Sequence, residues 1–184
     1  NSNDNIGHHT QKDNKIKDID TEMTDDDIFA ITIKIERQAA LFYKTLAGQI
    51  TDANSRNFLL GMAKEEGQHE RNLENMLREK GTEKYGWEKE KTIRDLVDNH
   101  FQTDIFPNLD EVLKQVPKFE GIEKAFNFAI EAEKVSAEFY SLLGEFCANF
   151  EAKTLLLLLE KTERDHLVQV EALKKQCLKE SRPK

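Results

Sequence analysis

Two copies of one short pattern carry the chemistry of this 184-residue sequence: Glu66-Gly-Gln-His69 and Glu163-Arg-Asp-His166. A glutamate and a histidine three residues apart on a helix point the same way and can share one metal ion. Two further glutamates, Glu36 and Glu133, repeat at the same spacing of 97 residues that separates Glu66 from Glu163 and His69 from His166. One offset without a gap therefore aligns four carboxylates and two imidazoles. A lone Glu-x-x-His is usually a solvated surface pattern, but a duplicated one matched to two further glutamates points to a dinuclear metal site.

Each of these residues lies within an apolar stripe. Met62, Glu66, His69, Leu73 and Met76 recur at steps of four and three, which places them on one helix face. Leu159, Glu163, His166, Val170 and Leu173 do the same 97 residues later. Around Glu36 stand Phe29, Ile33, Ala40, Phe42 and Tyr43, and around Glu133 stand Phe126, Ile130, Ala137, Phe139 and Tyr140. Four carboxylates would thus enter one core with no lysine or arginine on the same faces. Burying an unpaired carboxylate costs several kcal/mol, and four together repel. Two divalent ions would balance the four charges. Two nitrogens among many oxygens suit iron, with manganese as the other candidate, and disfavour a closed zinc site.

Four long helices must position these residues. Thr24 followed by three aspartates starts helix A, which runs to about Ile50. Asp52 caps helix B, which stops at Gly81. Helix C covers about Gly121 to Ala148, and Asn149 caps helix D, which reaches about Lys179. Glu36 and Glu66 are equidistant from the first turn, and Glu133 and Glu163 from the second. In antiparallel hairpins all four therefore meet at one level, roughly 20 Å from each turn at 1.5 Å per residue. The predicted fold is all-α: a four-helix bundle of two antiparallel hairpins joined by the long connector 82–119, with weak helical patches at 92–102 and 109–115. Residues 1–24 form a polar tail that cannot support packing, so residues 25–184 make one domain.

Composition narrows the function. The net charge of −8 argues against non-specific nucleic-acid binding. The longest apolar run, 155–159, is far short of the ~20 residues of a membrane span. With no secretory pattern, a cytoplasmic location is the default expectation. The two cysteines, Cys147 and Cys177, exclude a four-thiolate site within the chain. They continue inward stripes and should stand about 40 Å apart, too far for a disulfide.

At Glu36 with Phe42-Tyr43, Glu66-x-x-His69, Glu133 with Phe139-Tyr140, and Glu163-x-x-His166, residues 25–180 resemble the rubrerythrin branch of the ferritin-like di-iron carboxylate superfamily. The resemblance implies two iron ions that react with hydrogen peroxide or dioxygen, in the context of oxidative stress. It also implies reduction by an external donor such as rubredoxin, and a homodimer. Two features differ from the family pattern: the chain has no Cys-x-x-Cys motifs of a rubredoxin domain, and Ile130 stands where rubrerythrins commonly carry a further glutamate.

Three functions follow as alternatives: a di-iron oxidoreductase, a ferroxidase or iron-storage protein, and a non-catalytic metal-binding bundle. Tyr43 and Tyr140 are expected to hydrogen-bond ligand carboxylates. Glu65, Glu70, Glu131 and Asp165 are expected on the surface. Phe58, Met62, Met76, 155–159 and Leu173 are expected in the core.

Overall fold

The computed structural model describes residues 23–180, so all of the predicted tail 1–24 except Met23 and Thr24 lies outside the described residues. Six α-helices and no strand occur among them. The first hairpin pairs α1 (Asp25–Ala47) with α2 (Ala53–Lys80). Thr24 opens α1 with a reciprocal cap: its hydroxyl accepts the Asp27 N–H, and the Asp27 carboxylate accepts the Thr24 N–H. Asp52 accepts the Ser55 N–H at 2.7 Å to open α2. Gly81 ends α2 at φ +57°, a conformation that side chains rarely adopt.

The second hairpin pairs α5 (Lys118–Glu145) with α6 (Phe150–Glu180). Helix α5 begins three residues before the predicted Gly121 because Pro117, fixed at φ −54°, sits at the cap. Asn149 accepts the Ala152 N–H at 2.8 Å and opens α6 as expected.

The crossover contains a 3₁₀ turn (Trp87–Lys89), α3 (Lys91–His100) and α4 (Leu109–Gln115). It packs along the bundle. The Trp87 indole donates to the Leu143 carbonyl at 2.9 Å. Buried Asp25 accepts the backbone N–H groups of Tyr85 and Trp87 at 2.6 and 3.1 Å. Trp87 thereby joins the start of α1 to the end of α5, so these helices run antiparallel. At the far end, Phe106 packs on Phe42 and Tyr43 with ring centroids 5.4 and 5.9 Å away.

The core runs the length of the bundle and includes Phe29, Leu59, Met62, Leu73, Phe126, Leu156 and Leu159. Some residues predicted to be buried are not. Leu157 and Leu158 are exposed, because a helix buries only one stripe of a five-leucine run, and Phe58 on α2 is exposed as well. Cys147 and Cys177 are buried thiols, as expected.

Candidate metal centre

All six predicted ligand residues meet between the four long helices. They form two groups whose donor atoms lie within 4.8 Å of one another: Glu36, Glu66, His69 and Glu163, and Glu66, Glu133, Glu163 and His166. Glu66 and Glu163 belong to both. The two carboxylate oxygens of Glu66 divide between the groups: Oε2 is 3.0 Å from His69 Nδ1, and Oε1 is 2.8 Å from His166 Nδ1. The other neighbours of His69 Nδ1 are Glu36 Oε2 at 3.3 Å and Glu163 Oε1 at 3.5 Å. His166 Nδ1 stands 3.9 Å from Glu133 Oε2.

These atoms converge without satisfying one another. Glu66 Oε1, Glu133 Oε2, Glu163 Oε1 and His166 Nδ1 are buried and have no hydrogen-bond partner. Glu66 Oε1 and His166 Nδ1 are close, but their geometry is not that of a hydrogen bond. A shared ion explains both facts. At the ~2.1 Å bonds that nitrogen and oxygen make to a first-row ion such as zinc, adjacent ligand atoms stand about 3 Å apart. Orphaned buried polar atoms are rare, and four in one cluster fit a missing cation. The residues therefore fit two metal ions, with Glu66 and Glu163 common to both groups.

Electrostatics agree. Burial, with the charge of Glu66 beside it, pushes the Glu36 carboxyl up to about 8. Burial and the charges of Glu66 and Glu36 raise Glu163 to about 8, and burial with Glu163 raises Glu133 well above the usual range. Burial would raise Glu66 too, but the imidazoles of His166 and His69 outweigh it and hold Glu66 at about 2. Burial would lower His69, yet Glu163, Glu36 and Glu66 push it up to about 12. For His166, Glu66 and Glu133 overcome burial and raise it to about 9. Protons thus balance the buried carboxylates of the cluster.

The tyrosines cross between the halves. Tyr43 donates its hydroxyl proton to Glu133 Oε1, and Tyr140 donates to Glu36 Oε1. Side chains on a helix lean towards its N-terminus. In the antiparallel pair α1 and α5, Tyr43 and Glu133 therefore lean towards each other, whereas Tyr43 and Glu36 lean the same way. Burial and the adjacent glutamate charges hold both phenols above their ordinary range, so they stay protonated.

One expectation needs correcting. Glu65 is exposed, but its Oε2 reaches His166 Nε2 at 3.0 Å across the α2–α6 groove. Its helical angle set it beside the ligand face, and the length of its side chain closed the gap. Glu70 instead pairs with Arg37 at 2.6 Å, and Asp165 with Lys161 at 2.6 Å. Glu131 pairs with Lys134 at 3.0 Å.

The rubrerythrin family model matches residues 27–174. A protein from Thermotoga maritima, described as a candidate ferritin-like diiron-carboxylate protein, superposes with a TM-score of 0.65 at 21% identity, over 84% of this chain and 96% of its own. A hypothetical protein from Pyrococcus furiosus gives a TM-score of 0.64 at 25% identity, over 92% of this chain and 97% of its own. No curated protein matches.

Proposed function

The chain belongs to the rubrerythrin family, and from that premise we propose that it is a di-iron oxidoreductase. It reduces hydrogen peroxide or dioxygen with electrons from an external donor of the rubredoxin type. The observation that carries this reading is the pair of ligand groups sharing Glu66 and Glu163, with four buried donor atoms left unsatisfied.

Glu36 and His69 would hold one ion, Glu133 and His166 the other, with Glu66 and Glu163 between them. Two bound Fe(II) ions would supply the two electrons that, with two protons, convert hydrogen peroxide to two waters. Tyr140 and Tyr43 keep their protons and hold one oxygen each of Glu36 and Glu133, leaving the second oxygen to turn towards the ion. The His69 side chain is 13% exposed, against at most 3% for the other five ligand residues, so a small oxidant has its shortest approach beside His69. The proposed assembly is a homodimer. No helix among the described residues is long and apolar enough to cross a membrane.

The first experiment is anaerobic loading with Fe(II), removal of loose metal, and counting of iron per chain by mass spectrometry. Two ions are expected, falling sharply in Glu66→Ala and Glu163→Ala. One equivalent of hydrogen peroxide should then oxidise both ions, and a reduced rubredoxin should restore them. Loading that ignores both substitutions refutes the site. An oxidised form that no rubredoxin-type donor can reduce refutes the catalytic cycle and favours iron handling.

A further inference from the structure

The internal repeat breaks at one contact beside the centre. His166 is held from both sides: Nδ1 faces the ligand cluster, and Nε2 lies 3.0 Å from the carboxylate of Glu65. By the 97-residue offset, the position that should serve His69 is 162, where the chain has Thr162. Thr162 spends its hydroxyl on its own helix, donating to the Leu158 carbonyl at 3.0 Å. His69 turns Nδ1 to the cluster, and among the described residues no side chain meets its Nε2. The His69 side chain is also more open, at 13% exposure against 2% for His166.

We propose that Glu65 is a positioning residue that makes the two metal positions unequal, so that the Glu133–His166 position fills before the Glu36–His69 position. This inference rests on the two-metal reading above. A carboxylate accepting the Nε2 proton fixes the tautomer with Nδ1 bare, locks the ring and raises the basicity of the ligating nitrogen. Loss of such a partner typically costs 10–100-fold in metal affinity. Glu65 is largely exposed, so water screens the contact and the effect belongs near the lower end of that range. His69 must rely on solvent for the same service. Its ring is held only from the cluster side, by the carboxylates on Nδ1, so no side chain behind it fixes the Nε2 proton.

The test is anaerobic titration with Co(II) in competition with a chromophoric chelator. The wild-type chain should take up two ions with resolved stepwise constants. Glu65→Ala should weaken the first by about tenfold and leave the second within twofold, so that the two steps merge. Glu65→Gln, whose amide oxygen still accepts the proton, should fall between. Thr162→Glu supplies the missing partner and should tighten the second step. Proton NMR of the Co(II)-loaded chain gives a readout that bulk stability does not move. One shifted, exchangeable imidazole N–H should persist in the wild type and be lost to fast exchange with water in Glu65→Ala. Equal weakening of both steps, or of neither, overturns the proposal while leaving the dinuclear site intact. Uptake of fewer than two ions by the wild type overturns the reading beneath it.

Discussion

Removing metal should make this protein less stable as pH rises from 5 to 8. In the unfolded chain glutamates ionise near 4.3 and imidazoles lose protons near 6.5. In the folded, metal-free site Glu36 and Glu163 hold protons to about 8, His166 to about 9 and His69 to about 12. Folded-state values above the unfolded ones mean stability that is complete at low pH and lost as pH climbs. Glu66, held at about 2, acts in the other direction: its contribution is present above its unfolded value and disappears as pH falls towards 2. It therefore shapes the acid limb and leaves the 5–8 window to the others. One net proton retained on folding is worth about 1.4 kcal/mol per pH unit. The carboxyls share one pocket and do not titrate independently, so a single net proton is the safe count. That gives a loss of about 4 kcal/mol across three pH units.

Guanidinium unfolding of the chelator-stripped protein at pH 5, 6, 7 and 8 measures this directly. Glu36→Gln/Glu163→Gln carries amides that cannot titrate and should lose less than half as much over the same range. Metal acts in the opposite sense, since ions replace the protons and bind better as pH rises. The gap between loaded and stripped protein should widen towards pH 8. A flat or rising profile for the stripped wild type refutes the assignment of the buried protons to this cluster, and the same slope in the double variant refutes their assignment to Glu36 and Glu163.

Three further outcomes follow from single contacts. Tyr43→Phe removes the donor to Glu133 Oε1 and should cost about 1.5–3 kcal/mol in unfolding experiments, with a matching loss for Tyr140→Phe at Glu36. Asp25→Ala leaves the Tyr85 and Trp87 N–H groups without acceptors, so it should cost about 2 kcal/mol or more and shift the Trp87 fluorescence as the crossover loosens. Gly81→Ala should cost about 1 kcal/mol by thermal unfolding, because the strain lies in φ +57° and not in crowding: no atom stands within 4 Å of the added carbon.

Helix starts were legible because their signals are local. Thr24, Asp52 and Asn149 each bond an N–H three residues on, within the span that a sequence pattern covers. The docking of the crossover was not legible. Trp87 and Phe106 are apolar residues of the connector, but what they anchor to depends on Leu143, Phe42 and Tyr43, which are distant in sequence. Asp25 is the sharpest case. It stands in a run of three aspartates at a helix start, and dipole arguments treat all three alike. Only the fold reveals that Asp25 is buried under two backbone donors while the neighbouring Asp26 stays exposed and pairs with the buried Lys80.

The same division runs through the candidate metal centre. Periodicity assigns a residue to a helix face, so glutamates and histidines inside apolar stripes were bound to enter the core, and the duplicated offset brought them to one level. Periodicity says nothing about how far a side chain reaches sideways. Glu65 therefore read as solvated, although its carboxylate meets His166 from the neighbouring helix. Nor does it say which partner a tyrosine chooses: each hydroxyl could be read as serving its own helix, and each serves the other hairpin. That crossing has a mechanical consequence. Each half of the repeat holds the terminal glutamate of the other, and each ligand group takes one glutamate, Glu163 or Glu66, from the opposite hairpin. The two halves of the repeat thus make one site that only the assembled bundle can form. One inequality, Glu65 against Thr162, lies just outside the ligand set, where a substitution can retune one half of the site without removing a ligand.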